Sequence, residues 1–116
     1  MSAQRRVVVT GLGIVSPLGV GVKTVWKNLL ASQCGIVSLA EREGYEKLPV
    51  RIAAEVPKGT FEEGKFTASE WLDKGDDRTM AKFSHYAIAA ARQAISDAQW
   101  EPETDSDQER TVGVRM

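Results

Sequence analysis

Arg5-Arg6-Val7-Val8-Val9-Thr10-Gly11-Leu12-Gly13-Ile14-Val15-Ser16-Pro17-Leu18-Gly19 opens the chain after four residues, and its reading decides the fold. Residues 5–10 read as a strand. Val7-Val8-Val9 is a continuous β-branched run, the pattern of a strand covered on both faces. Residues 11–21 follow as an apolar, glycine-rich loop. A loop this apolar is expected to be buried, with glycine letting the backbone turn in close quarters. The glycines also invite a dinucleotide reading. That fingerprint needs three glycines at fixed spacing, a helix opening directly from them and an acid about 20 residues on. Ser16 stands at the third position, Pro17 interrupts the place of the helix, and no acid occurs before Glu41. The segment is therefore read as a buried turn after a strand, with a nucleotide-binding α/β domain as the remote alternative.

Outward from this stretch, Val22, Val25, Trp26, Leu29 and Leu30 share one face of a helix over about 22–32. Lys23 and Lys27 lie off that stripe, and Gly35 can stop the helix in a left-handed cap. Residues 50–56 alternate, with Val50, Ile52, Ala54 and Val56 on one face; Pro57 ends this half-buried strand. Residues 58–74 read as irregular, with a short helix near 68–72. The longest element is a helix over about 78–98. Met80, Phe83, Ala87, Ile88, Ala91, Ala94, Ile95 and Ala98 keep helical spacing, and Asp76 or Asp77 can cap its start. Alanines at 87, 89, 90, 91, 94 and 98 imply close packing against neighbours. Residues 111–114 begin another strand. Strand, helix, strand, helix, strand is the grammar of an α/β fold with parallel strands and helical crossovers. A sheet that stops early in a later strand is expected to be incomplete.

The 116 residues suffice for one small domain. A net charge of −1 provides no field for nucleic acid or an anionic membrane. One cysteine allows no internal disulfide framework, which fits a reducing compartment. The run Val7 to Val9 is too short for a signal peptide, and no stretch approaches the roughly 18 apolar residues of a membrane span. Charge is uneven: residues 1–40 contain no acid, while residues 101–110 contain five acids and one base. That acidic stretch reads as a solvated loop.

Few residues suggest chemistry. Cys34 follows the first helix, at the dipole end that disfavours a thiolate, so it reads as structural. His85 has no partner visible in sequence and reads as a helix-surface or boundary residue. One Cys and one His make a zinc site implausible. Trp26, Trp71 and Trp100 read as packing groups. Lys74 and Arg78 flank Asp76 and Asp77, and by themselves read as a self-compensated solvated cluster.

Taken together, the opening stretch is similar to the start of the β-ketoacyl-acyl-carrier-protein synthases that elongate fatty acids. The likeness continues in order through Val25-Trp26-Lys27-Asn28-Leu29-Leu30 and Ser32-Gln33-Cys34-Gly35-Ile36. It goes on through Asp77-Arg78-Thr79-Met80 with Phe83 and Tyr86, Asp97-Ala98, and Thr111-Val112-Gly113-Val114. Leu18-Gly19-Val20-Gly21, Ile36-Val37-Ser38-Leu39 and Ala53-Ala54-Glu55-Val56-Pro57 look most like mitochondrial members. The resemblance implies the N-terminal part of a thiolase-like fold, layered α-β-α-β-α, with residues 1–116 as an incomplete portion. The family loads an acyl group on a cysteine, decarboxylates malonyl carrier protein and joins the two by Claisen condensation.

That cysteine and its two histidines belong to downstream segments. Neither Cys34 nor His85 matches them, so no catalytic, cofactor-binding or metal residue is assigned and no cofactor is implied. The chain is expected to be inactive alone. Lys74 and Arg78 match the neighbourhood that contacts the acidic acyl carrier protein, and Thr79 stands where a second base is often found. A homodimer in full length and a mitochondrial location, without a visible presequence, are implied; a cytoplasmic location is the alternative. A carrier-protein- or enzyme-binding module without catalysis is the alternative function.

Overall fold

The computed structural model describes residues 4–101. The expected strand over residues 111–114 lies outside them, as does the acidic stretch beyond Glu101.

Residues 5–10 join no sheet among the described residues, and Val7, Val8 and Val9 are 93%, 70% and 79% exposed. The strand expected there is not formed as a paired element. A strand exists through its neighbours' amides and carbonyls, and nothing described reaches this edge.

Packing begins at Gly11, where the chain lies against helix α3 (Lys82–Ala98). A Cβ on Gly11 would sit 2.1 Å from the Ala94 carbonyl oxygen, and one on Gly13 would sit 1.9 Å from that of Ala90. Only glycine permits this approach, and the small Ala90, Ala94 and Ala98 complete the contact. Close packing of the alanine-rich helix is thus observed. Between the glycines, the Leu12 amide donates to Asp97 Oδ2 at 2.9 Å and the Ile14 amide to Gln93 Oε1 at 3.2 Å. Strands β1 (Val15–Ser16) and β2 (Gly19–Val20) then form a tight antiparallel hairpin around Pro17 and Leu18. Ser16 Oγ donates to the Gly19 carbonyl and accepts the Leu18 amide. Val20 is fully buried.

Helix α1 (Val22–Leu30) follows, shorter than expected. Ser32, with φ 55°, supplies the left-handed turn assigned above to Gly35. Gly35 is small for another reason: a Cβ there would lie 2.7 Å from Pro17 Cβ. The inner side of α1 is polar. Thr24 fills the space left by Gly64, and Asn28 Nδ2 donates to the Leu18 carbonyl at 2.7 Å. The apolar stripe points outward, with Trp26, Leu29 and Leu30 at 59%, 53% and 68% exposure.

Strands β3 (Ile36–Ser38) and β4 (Ile52–Ala54) pair antiparallel, with Val37 opposite Ala53. The strand expected over 50–56 is confined to this core, and its expected inner residues Val50, Ile52 and Ala54 are exposed. Both described sheets are antiparallel pairs, so no parallel crossover is seen among the described residues. Residues 58–72 fold around two edge-on aromatic contacts. Phe61 meets Trp71 at 4.9 Å, and Phe66 meets Tyr86 of α3 at 4.8 Å. A turn of 3₁₀ helix at Ala68–Glu70 sits where a short helix was expected.

The single long helix is in fact two. Helix α2 (Asp76–Thr79) ends at Met80, which is extended, as is Ala81, before α3 begins. Gly75 in the left-handed region precedes α2. No side chain caps it, and Asp76 and Asp77 lie in the first turn instead, where their charge still complements the dipole. On α3 the buried residues are His85, Ala89 and Gln93, at four-residue spacing. The stripe expected to be covered contains Phe83, 71% exposed, and Ile95, 46% exposed. The helix has a narrow small-residue face and a broad apolar face, and the glycine segment takes the narrow one.

Candidate functional site

Three sites were open from sequence: the glycine segment, the lone Cys34 and His85, and the basic pair Lys74 and Arg78.

At the glycine segment the space that a phosphate would need is occupied by the backbone of α3. No helix opens from it either, since α1 starts at Val22. The segment is a packing surface against α3, but not the buried turn after a strand that was expected: no strand precedes it among the described residues and Leu12 is 55% exposed.

Cys34 is free and exposed, in a shallow concavity with Pro17, Asn28 and Gln33. His85 is 6% exposed, on the inner face of α3. It is more buried than the expected helix-surface or boundary position, because α3 turns its small-residue face inward around it. Its Nε2 finds no hydrogen-bond partner among the described residues. No hydrogen bond joins Cys34 to His85, so the structure does not assemble a thiol–imidazole pair from them. Among the described residues no group of three or more His, Cys, Asp or Glu could hold a metal ion. No helix among them is long and apolar enough to cross a membrane. Trp71 behaves as the expected packing group, edge-on to Phe61, while Trp26 and Trp100 are 59% and 42% exposed.

Lys74 and Arg78 do converge. The chain leaves the 3₁₀ turn through Leu72 and Asp73, reverses at Gly75 with φ 103°, and enters α2. This turn places both bases, exposed, on the rim of a concavity of about 490 Å³ whose floor includes Ala68 and Leu72. Asp73 and Asp77 share the rim. Bases and acids thus share one exposed rim, and among the described residues neither Lys74 nor Arg78 is ion-paired. Asp73 instead meets Arg92 of α3, Nη2 to Oδ2 at 3.4 Å. Thr79 Oγ1 donates back to the Asp76 carbonyl. The Arg92 contact escaped sequence reasoning because it joins a loop to a helix 19 residues away.

An α/β chain whose glycine segment is clamped on an alanine-rich helix, followed by a hairpin and a short helix, has the fold of the N-terminal part of a thiolase-like condensing enzyme, as its structural match shows. Its backbone matches the ishigamide ketosynthase/chain length factor with a TM-score of 0.66 and 34% identity, over 90% of this chain and 23% of that one. Residues 4–116 match the family model for the β-ketoacyl synthase N-terminal domain, and the chain belongs to that family. It is 43% identical over 104 residues to 3-oxoacyl-[acyl-carrier-protein] synthase 2 of Rhizobium meliloti, covering 90% of this chain and 24% of that protein. It is 38% identical over 122 residues to the mitochondrial 3-oxoacyl-[acyl-carrier-protein] synthase of Arabidopsis thaliana, covering 94% of this chain and 26% of that protein. The chain thus spans about a quarter of the length of the curated relatives it matches.

Proposed function

We propose that this chain contributes the N-terminal portion of a 3-oxoacyl-[acyl-carrier-protein] synthase. Such an enzyme extends an acyl chain by decarboxylative Claisen condensation with malonyl carrier protein. The observation that carries this reading is the solvent-open apolar surface of Val7–Val9, Trp26, Leu29, Leu30 and Phe83 in a chain a quarter as long as its relatives. Such a surface belongs to elements that pack on further parts of a larger core. Residues 1–116 carry no catalytic group of their own in this reading. The nucleophilic cysteine and its two histidines come from other segments of the family's fold.

Lys74 and Arg78 form the docking point for acyl carrier protein. Two unpaired bases on an exposed rim suit a negatively charged partner and act chiefly on the rate of encounter. Mitochondrial relatives support a mitochondrial location, and the reading includes a homodimer of the complete enzyme.

Condensation of acyl and malonyl carrier protein, followed by mass spectrometry, tests the reading. The whole polypeptide is expected to release CO₂ and form the 3-oxoacyl product, while residues 1–116 alone form none. A cooperative, high-temperature melt of residues 1–116 alone would argue against it, because a self-sufficient domain would need no further core.

A further inference from the structure

We infer that Arg92 is a positioning residue for the carrier-protein dock, setting the sign of its rim by masking Asp73. This rests on the docking reading of Lys74 and Arg78.

The rim of the concavity carries two bases, Lys74 and Arg78, and two acids, Asp73 and Asp77, and by themselves these four cancel. Arg92 reaches across from α3 to Asp73 at 3.4 Å, which leaves Asp77 as the rim acid without an ion pair among the described residues, with the half-buried Asp76 beside it in the first turn of α2. The pair is exposed, at 48% for Arg92 and 81% for Asp73. Such pairs add little to stability. Their field acts on an approaching charged partner, where a single uncompensated acid on the docking rim repels an acidic surface. Arg92 itself lies outside the concavity, in the cleft that α3 forms with Phe61 and the start of α1.

Association of apo acyl carrier protein with the whole polypeptide, measured by stopped-flow at low ionic strength, tests the inference. Arg92→Gln is expected to slow association about threefold, and the double variant Asp73→Asn/Arg92→Gln to restore it. Asp73→Asn alone, which leaves the fold's contacts least disturbed, is expected to speed association by a similar factor. All three differences should shrink as added salt shortens the screening length. An unchanged rate in Arg92→Gln, an unchanged rate in Asp73→Asn, or a double variant as slow as Arg92→Gln would overturn the masking role. Lys74→Glu/Arg78→Glu separates the two levels. If that variant binds like the parent, the docking reading falls and takes the inference with it. If it is slowed while Arg92→Gln is unaffected, only the role of Arg92 falls.

Discussion

The Leu12 backbone amide donates to Asp97 Oδ2 at 2.9 Å, joining residues 85 apart in the chain. With the Ile14–Gln93 bond it makes the side chains of α3 stand in for a neighbouring strand. Asp97→Ala in the whole polypeptide is expected to lower stability by about 1 kcal/mol, the net worth of one such bond. Asp97→Asn, which keeps an accepting oxygen, should lose less than half of that. Urea unfolding followed by circular dichroism reads both.

Gly11 and Gly13 tolerate no side chain, since the added carbon would fall about 2 Å from helical carbonyls. Gly11→Ala and Gly13→Ala are each expected to cost about 3 kcal/mol or to block folding, because the clash is with backbone that cannot rotate aside. Soluble yield and the urea midpoint report this. A Gly13→Ala variant of parental stability would show that the segment does not lie on α3.

The outward stripe of α1 predicts opposite effects in two contexts. In residues 1–116 alone, Trp26→Glu/Leu29→Glu is expected to raise solubility and reduce binding of a hydrophobic dye. In the whole polypeptide the same changes should destabilise strongly, because covering each large side chain contributes about 1.5–3 kcal/mol. Equal tolerance in both contexts would mean the stripe is an ordinary surface.

Thr79 occupies the end of α2, one residue beyond Arg78, and its hydroxyl is engaged by the Asp76 carbonyl. Thr79→Arg is expected to speed carrier-protein association about threefold at low salt, whereas Lys74→Glu/Arg78→Glu should slow it about tenfold. Both effects should fade in concentrated salt. A Thr79→Arg variant without gain would place the partner on another part of the rim.

Cys34→Ser is expected to leave condensation by the whole polypeptide within about twofold of the parent. The thiol is exposed in a shallow concavity and has no imidazole hydrogen-bonded to it. Loss of the acyl-enzyme in this variant would contradict its reading as a structural residue.

Much of the local structure was legible because it is written locally. The period of Val22, Val25, Trp26, Leu29 and Leu30 marked α1, and the alternation over 50–56 marked the place of β4, which ends at Ala54 before Pro57 is reached. Which side of α1 would be covered was not legible, since that depends on neighbours far along the chain. The break at Met80 carries no proline or glycine, so no local signal in the sequence marks it. Gly35 looked like a helix cap, but its small size serves contact with Pro17, and Ser32 turns the chain. At the rim, Lys74 and Arg78 could be singled out by resemblance. The Asp73–Arg92 contact could not, because nothing in residue spacing brings a loop acid to a helix base across 19 positions.

The clamp on α3 also bears on the order of synthesis. A chain emerging N-terminus first exposes the β-branched run Val7–Val9 early, and an uncovered run of this kind is prone to aggregate. Once residue 98 has cleared the ribosome, Gly11 to Ile14 can dock on α3 using only groups already made. Residues 5–10 are thereby moored at one end. Proteolysis of stalled nascent chains should read that mooring as protection of residues 11–14 while residues 5–10 stay open to cleavage.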